Sequence, residues 1–432
     1  MGRFTITIAA LALAVAFAVF PAAAGATDGY FTLGTGPVQD GLGGAGIALP
    51  QDAAAAANNP AGLLKVGNDW EISAALFAPY RGYTVTGAPS GVPHTFGLAP
   101  GTVLSNDSRF LIPSVAWSRK LGDANALGVI LYANGGLNTT YPAVGPGTGP
   151  FYGGAAGVNI EQVFLAPTYA FALDKRLSIG LSVLATYQTF RAGGLGNFAA
   201  FSSAPGALTD KGVNASWGIG GKVGVLYDVS SHVTVGAAYQ SITSQRSFAS
   251  YAGLFAQSGS FNVPATATLG FAWTLTPASV AAFDIEHISY GRIASVANPF
   301  ANLFLAQAGN PAYALGAAYG PGFGWRDTTF YKLGYQQRLS PALTVRAGTA
   351  YGIQPVPSSD VLFNILAPGV TQWHYSLGAT LALSHATSLD FALVDAPKVT
   401  VTGPNPLEVP GQQRITLGMN QYEVELGYGR KY

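Results

Sequence analysis

The sequence predicts an all-β membrane protein, a 14-stranded antiparallel outer-membrane β-barrel preceded by a plug of small residues. Three observations carry that expectation. The chain is only 9% charged, against about 25% in typical soluble domains, yet beyond its first residues it holds no apolar run near the ~20 residues of a membrane helix. From Trp70 onward, apolar residues alternate with small or polar ones at period two. The connections between these segments alternate short with long, as in a barrel with short turns at one rim and long loops at the other. A chain this apolar that lacks spanning helices must pair its backbone between strands, and in lipid that means a closed barrel.

The elements follow in order. Residues 1–26 read as a cleaved signal peptide: Arg3 supplies the charge, Ile6 to Phe20 the apolar stretch, and Ala24-Gly25-Ala26 a small-residue cleavage site. A retained anchor would need a longer apolar core. Residues 27–69 form the plug, which runs through Gly41-Leu42-Gly43-Gly44-Ala45-Gly46. Within it Asp52 can N-cap the run Ala53 to Ala57, and alanine is the best helix former. Asn59 precedes a proline and so leaves the helical region, where it can cap a second turn beginning at Pro60. This composition offers little aromatic or aliphatic surface to hold the plug in place.

Residues 70–432 read as the barrel. Strands are expected at 70–87, 109–120, 125–141, 157–173, 176–191, 214–229, 232–248, 260–276, 278–293, 325–339, 342–353, 371–384, 386–402 and 412–432. Short turns sit at Gly122-Asp123, Asp174-Lys175, Ser230-Ser231, Thr276-Pro277, Ser340-Pro341 and His385-Ala386, with long loops between them. In the last strand apolar side chains hold odd positions from Ile415 to Met419, then even positions from Tyr422 to Tyr428. That slip implies a bulge near Asn420-Gln421.

Cysteine is absent, and the five histidines (His94, His232, His287, His374, His385) are scattered. No disulfide, metal site or cofactor is expected. Net charge is +1 with no basic run, so nucleic acid is not an expected partner.

With its leader, strand count and small-residue plug, the chain resembles the FadL family, outer-membrane channels for long-chain fatty acids and other hydrophobic compounds. The resemblance rests on Gly29-Tyr30-Phe31, the Gly-Leu-Gly-Gly-Ala-Gly run, Asn59-Pro60-Ala61, Gly324-Trp325-Arg326-Asp327 and Pro355-Val356-Pro357. It implies an N-terminal small helical hatch in the lumen and lateral release of substrate through a wall opening. The partners it implies are a hydrophobic small molecule, outer-membrane lipids and the barrel-assembly machinery, and a monomer is expected.

The candidate hatch and gate residues are Asn59, Pro60, Ala61, Gly43 and Gly44. Asn134, Gly135 and Gly136 lie within the third strand, where glycine forfeits packing and often marks a bulge or a close backbone approach. Alternation sends Asn134, Gly136 and Asn138 inward. Glycine is common in this chain, so the pair can also be merely tolerated. The resemblance places a kinked third strand and a sideways opening here. Phe198, Phe201, Phe300, Leu303 and Phe304 make the outer loops unusually apolar, either as a capture surface or as a cap over the lumen. Phe300, Leu303 and Phe304 fit one face of a short helix. Arg191 and Arg326 fall where cations for a carboxylate head group would lie in the outer lumen.

Three rival classes remain. A barrel enzyme would need a nucleophile, acid/base or metal constellation, and none is evident, so catalysis is not expected. A general porin would hold an open channel with charged rows, whereas this chain has few charges and a plug. A purely structural barrel differs from a channel only in lacking uptake. Among channels, low lumen charge leans toward neutral aromatic or aliphatic hydrocarbons over fatty acids.

Overall fold

The computed structural model describes residues 28–143 and 147–432; the leader and its cleavage site lie outside the described residues. Fourteen strands form the barrel. They are β1 (Asp69–Thr86), β2 (Phe110–Lys120), β3 (Asn125–Tyr141), β4 (Ala156–Ala172), β5 (Leu177–Gly193), β6 (Asn214–Asp228) and β7 (Val233–Gln240). After these come β8 (Thr266–Thr276), β9 (Ser279–Ile288), β10 (Thr328–Arg338), β11 (Leu343–Gly352), β12 (Trp373–Ala382), β13 (Thr387–Pro404) and β14 (Arg414–Lys431). Each pairs antiparallel with the next, and β1 pairs β14 without interruption from Asp69↔Lys431 to Thr86↔Arg414, which closes the barrel. Two short strands, Gly101–Leu104 and Ser244–Gln245, pair with the outer parts of β1 and β6.

Period two places the side chains as expected. In β1, Ile72, Leu76 and Tyr80 are exposed outward while Glu71, Ser73 and Arg81 are buried inward. Trp70 packs on Tyr428 and Tyr80 on Tyr422, marking the two aromatic girdles. The residues between Trp70 and Tyr80, at about 3.3 Å each and tilted by about 40°, span roughly 25 Å, the height of an apolar barrel band. All six short turns fall where the sequence places them.

Two expectations need correction. β14 keeps one phase throughout, with Ile415, Leu417, Met419, Gln421 and Glu425 all buried inward. What changes along it is the lumen, apolar beside the outer loops and polar beside the hatch. The irregularity near Asn420 belongs to β13, where Pro397 and Lys398 bulge between Ala396 (opposite Gln421) and Val399 (opposite Met419). The seventh and eighth strands are also shorter than expected. Much of the chain between Gln240 and Thr266 folds inward instead, burying Phe248, Tyr251, Phe255 and Phe261 over the lumen. Above the membrane an outward aromatic would face water, so burial over the lumen is favoured.

Candidate functional site

The hatch fills the inner half of the lumen with four short helical pieces, Pro37–Asp40, Ala53–Ala57, Pro60–Gly62 and Leu63–Val66. Both expected caps form. The Asp52 carboxylate accepts from the Ala55 N–H at 3.1 Å, and the Asn59 side-chain oxygen accepts from the Ala61 N–H at 3.1 Å. The Asn59 amide also donates to the carbonyls of Ile47 (2.8 Å) and Val225 (3.1 Å), which ties the hatch to β6. Gly43 and Gly44 hold φ of +66° and +78°, and a Cβ on either would stand within 2.5 Å of backbone. Both positions therefore require glycine.

The wall recedes to receive these pieces. A Cβ on Gly180 would lie 2.2 Å from Ala61 N, and one on Gly224 would lie 2.0 Å from Asn59 Oδ1. Gly128, Gly236, Gly334 and Gly348 make the same allowance for other hatch residues. Polar groups of the wall then fix the hatch backbone. Asp284 of β9 accepts from Gly46 N (2.7 Å) and Ile47 N (2.9 Å), and Ser376 of β12 accepts from Gly43 N at 2.8 Å. Lys332 of β10 donates to Leu33 O at 2.7 Å and pairs with Asp28 at 2.9 Å and Glu286 at 2.7 Å. At the N-terminal end Tyr30 stacks on Phe31 and packs against Tyr290 and Trp325. The expectation of a weakly held plug is thus corrected. Small residues let the hatch approach the wall closely, and hydrogen bonds and four aromatics supply the grip.

Beside Tyr30 the barrel wall is incomplete. The β2–β3 ladder runs from Lys120↔Ala126 only to Val115↔Leu131, so β2 from Phe110 to Ser114 and the outer part of β3 do not pair with each other. The gap is bridged again above, where Asn106 N–H donates to Thr140 O at 2.8 Å. On its other edge β3 bulges at Asn134, and Gly135 sits at φ +143°. The hatch occupies the free edge there: Thr32 N–H donates to Asn134 O (3.3 Å) and Gly136 N–H to Tyr30 O (3.1 Å). The glycine pair is thus both a bulge and a close backbone approach. The bulge also inverts the phase expected beyond it. Leu137, Thr139 and Tyr141 take inward positions, and Asn138 instead donates to Asn159 at 2.5 Å on the other face.

The outer half of the lumen is an apolar chamber roofed by the loops. Phe151, Val158, Leu195, Phe198, Phe255, Leu315, Phe323, Phe363 and Leu366 line a cavity that no charged residue enters. Its free volume, about 40 Å³, is well below the ~150 Å³ of a cavity that admits benzene, so a ligand must move the loops to enter. Phe198 and Phe300 both pack edge-on against Phe363, and Leu303 is buried with them, while Phe201 is half-buried. Phe304 turns to the surface, so the three residues of the helical face are divided between cap and exterior. Phe363 and Leu366, in a loop after β11, were not legible as site residues.

The two candidate cations are not in this chamber. Arg191 is exposed, opposite Asn159 on the outer face, and Arg326 is exposed beside Tyr351 and Ile353 on the wall exterior. This corrects their placement in the outer lumen: alternation directs Arg191 outward, and Arg326 lies just before β10 begins. Below the chamber a second cavity is polar, lined by Asn58, Asn134, Lys222, Asp284, Glu286 and Lys332 among others. Asp40 of the hatch also meets Glu423 and Glu425 of β14, a contact between residues far apart in sequence.

A closed barrel, a hatch seated in its lumen and an apolar outer chamber define a plugged outer-membrane channel. Residues 34–402 match the model of the outer membrane protein transport protein family (OMPP1/FadL/TodX), and the chain belongs to that family. Solved structures share the fold at low identity. The Pseudomonas putida toluene transporter TodX superposes with a TM-score of 0.66 at 16% identity, covering 93% of this chain and 99% of that one. A Pseudomonas aeruginosa FadL homologue gives 0.66 and 16% over the same shares. The Ralstonia pickettii toluene transporter TbuX gives 0.61 at 18% identity, covering 93% and 99%. No curated protein sequence matches.

Proposed function

We propose that the protein takes up hydrophobic compounds, long-chain fatty acids among them, by passive diffusion with lateral release. A solute partitions into the apolar loops, passes into the chamber, and leaves through the gap between β2 and β3 when the N-terminal end of the hatch withdraws. The observation that carries this reading is the hatch segment Tyr30 to Thr32 seated on the free edge of β3. The route downward is unfavourable for an apolar solute, because the lower lumen is polar and filled.

The two backbone hydrogen bonds between hatch and β3 contribute about 1 kcal/mol each. Burying roughly 200 Å² of apolar solute contributes about 5 kcal/mol. Only the part of that energy gained with the hatch withdrawn drives opening, which must also release the Lys332 pair with Asp28 and the packing of Tyr30 on Tyr290 and Trp325.

A second reading, uptake of neutral aromatic or aliphatic hydrocarbons, is favoured by the uncharged chamber and by the two toluene transporters among its fold relatives. Catalysis plays no part in either reading. Uptake of a panel of fatty acids and hydrocarbons by a deletion strain, with and without the gene restored, tests them. Restored uptake of at least one class supports a channel; unchanged uptake of every compound leaves a structural barrel.

A further inference from the structure

We propose that Arg81 receives the anionic head group of a single-tailed carboxylate at the outer end of the wall opening, so that the exit discriminates among substrates the chamber does not. The proposal rests on the lateral route given above.

Arg81 lies on the inward face of β1 and is 3% exposed. Its Nε and Nη2 atoms have no hydrogen-bond partner, and among the described residues no carboxylate stands within ion-pair distance of it. The guanidinium carbon stands 5.7 Å from the ring centroid of Phe110, the residue that begins β2 at the edge of the gap. Tyr141 and Asp107 are near enough to act on its charge, but the Tyr141 hydroxyl donates to Ile365 O and the Asp107 carboxylate accepts from Thr140 Oγ1, each at 2.8 Å. A buried guanidinium with two unsatisfied nitrogens and no paired carboxylate is costly, and at membrane depth such a group marks a ligand path or site.

Height in the membrane identifies the ligand. Arg81 follows Tyr80, whose ring forms the outer aromatic girdle with Tyr422. The gap lies on the membrane side of that level, because its lower limit, Val115, pairs with Ile72 and its rim residue Phe110 pairs with Phe77. An apolar surface of Phe77, Phe110, Ile112 and Ala133 lines it. A molecule leaving sideways with its tail among these residues would hold its head level with Arg81, at the lipid head-group boundary. A guanidinium offers a carboxylate two parallel N–H donors. A resident lipid phosphate approaching from outside is disfavoured, because Arg81 faces the lumen and is closed to the exterior.

Binding of oleate and of its neutral isostere methyl oleate to the purified, reconstituted protein tests the proposal. The measurement is made where the carboxyl is ionised. The expected result is oleate bound about ten- to a hundredfold more tightly than the ester, as for a charge-assisted hydrogen bond. Arg81→Gln should remove the preference without weakening methyl oleate binding, and Arg81→Lys should keep part of it. Equal affinity for both compounds in the parent protein, which needs no variant to fold, overturns the role of Arg81 alone. So does a preference that survives in Arg81→Gln. Binding of neither compound overturns the channel reading on which the proposal rests.

Discussion

Lys332 joins three parts of the molecule through one ammonium: the Leu33 carbonyl in the hatch, Asp28 at the hatch's N-terminal end, and Glu286 in the neighbouring strand. Removing one partner of a buried ion pair strands the other, at a cost of about 3–5 kcal/mol. That exceeds the roughly 2 kcal/mol from the two hatch bonds to β3. Lys332→Met should therefore release the N-terminal end of the hatch while the barrel persists. Ion current in planar bilayers should rise above that of the parent, with the folded barrel's electrophoretic mobility unchanged; an unaltered current contradicts this. Gly224→Val should act from the opposite wall, since its Cβ would overlap Asn59 Oδ1. Cross-linking of the hatch to β6 should fall, and retained cross-linking would contradict the close fit. The caps at Asp52 and Asn59 were legible because capping is a matter of adjacent residues. Lys332, Tyr290 and the receding glycines were not, because their hatch partners lie far away in sequence.

At the scale of elements, β3 carries the account. The sequence marked Gly135-Gly136 as an anomaly, and the anomaly is a bulge whose free edge accepts the hatch. Period-two reading failed just beyond it, because one extra residue exchanges the two faces of a strand. The same reading misled in β14, where a change in lumen polarity imitates a change of phase. Alternation reports which side chains are apolar, and it reports direction only where lipid lies on one side and polar groups on the other. Gly136→Trp should place a bulky side chain at the opening. Uptake should fall by about tenfold or more, the effect of some 1.4 kcal/mol at the barrier, while barrel assembly is unimpaired. Full uptake would count against a lateral route through this strand.

For the molecule as a whole, strand number, turn positions and closure were readable from composition and periodicity, because lipid imposes one rule on every strand. The apolar character of the outer loops was legible too, Phe198 among them, but the chamber was not, because it is assembled from loops after β3, β5, β7, β9 and β11 that meet only in space. A lumen occupied by hatch and loops should pass little current. Near silence of the parent protein in planar bilayers is expected, and a large steady conductance would support a porin. The central claim is that the N-terminal end of the hatch must leave the edge of β3 for transport. The chain has no cysteine, so a pair introduced at Thr32 and Asn134, opposite one another across that contact, reports on it cleanly. Uptake by cells carrying Thr32→Cys/Asn134→Cys should be blocked when the pair is oxidised and return on reduction. Undiminished uptake with the disulfide fully formed would contradict the account.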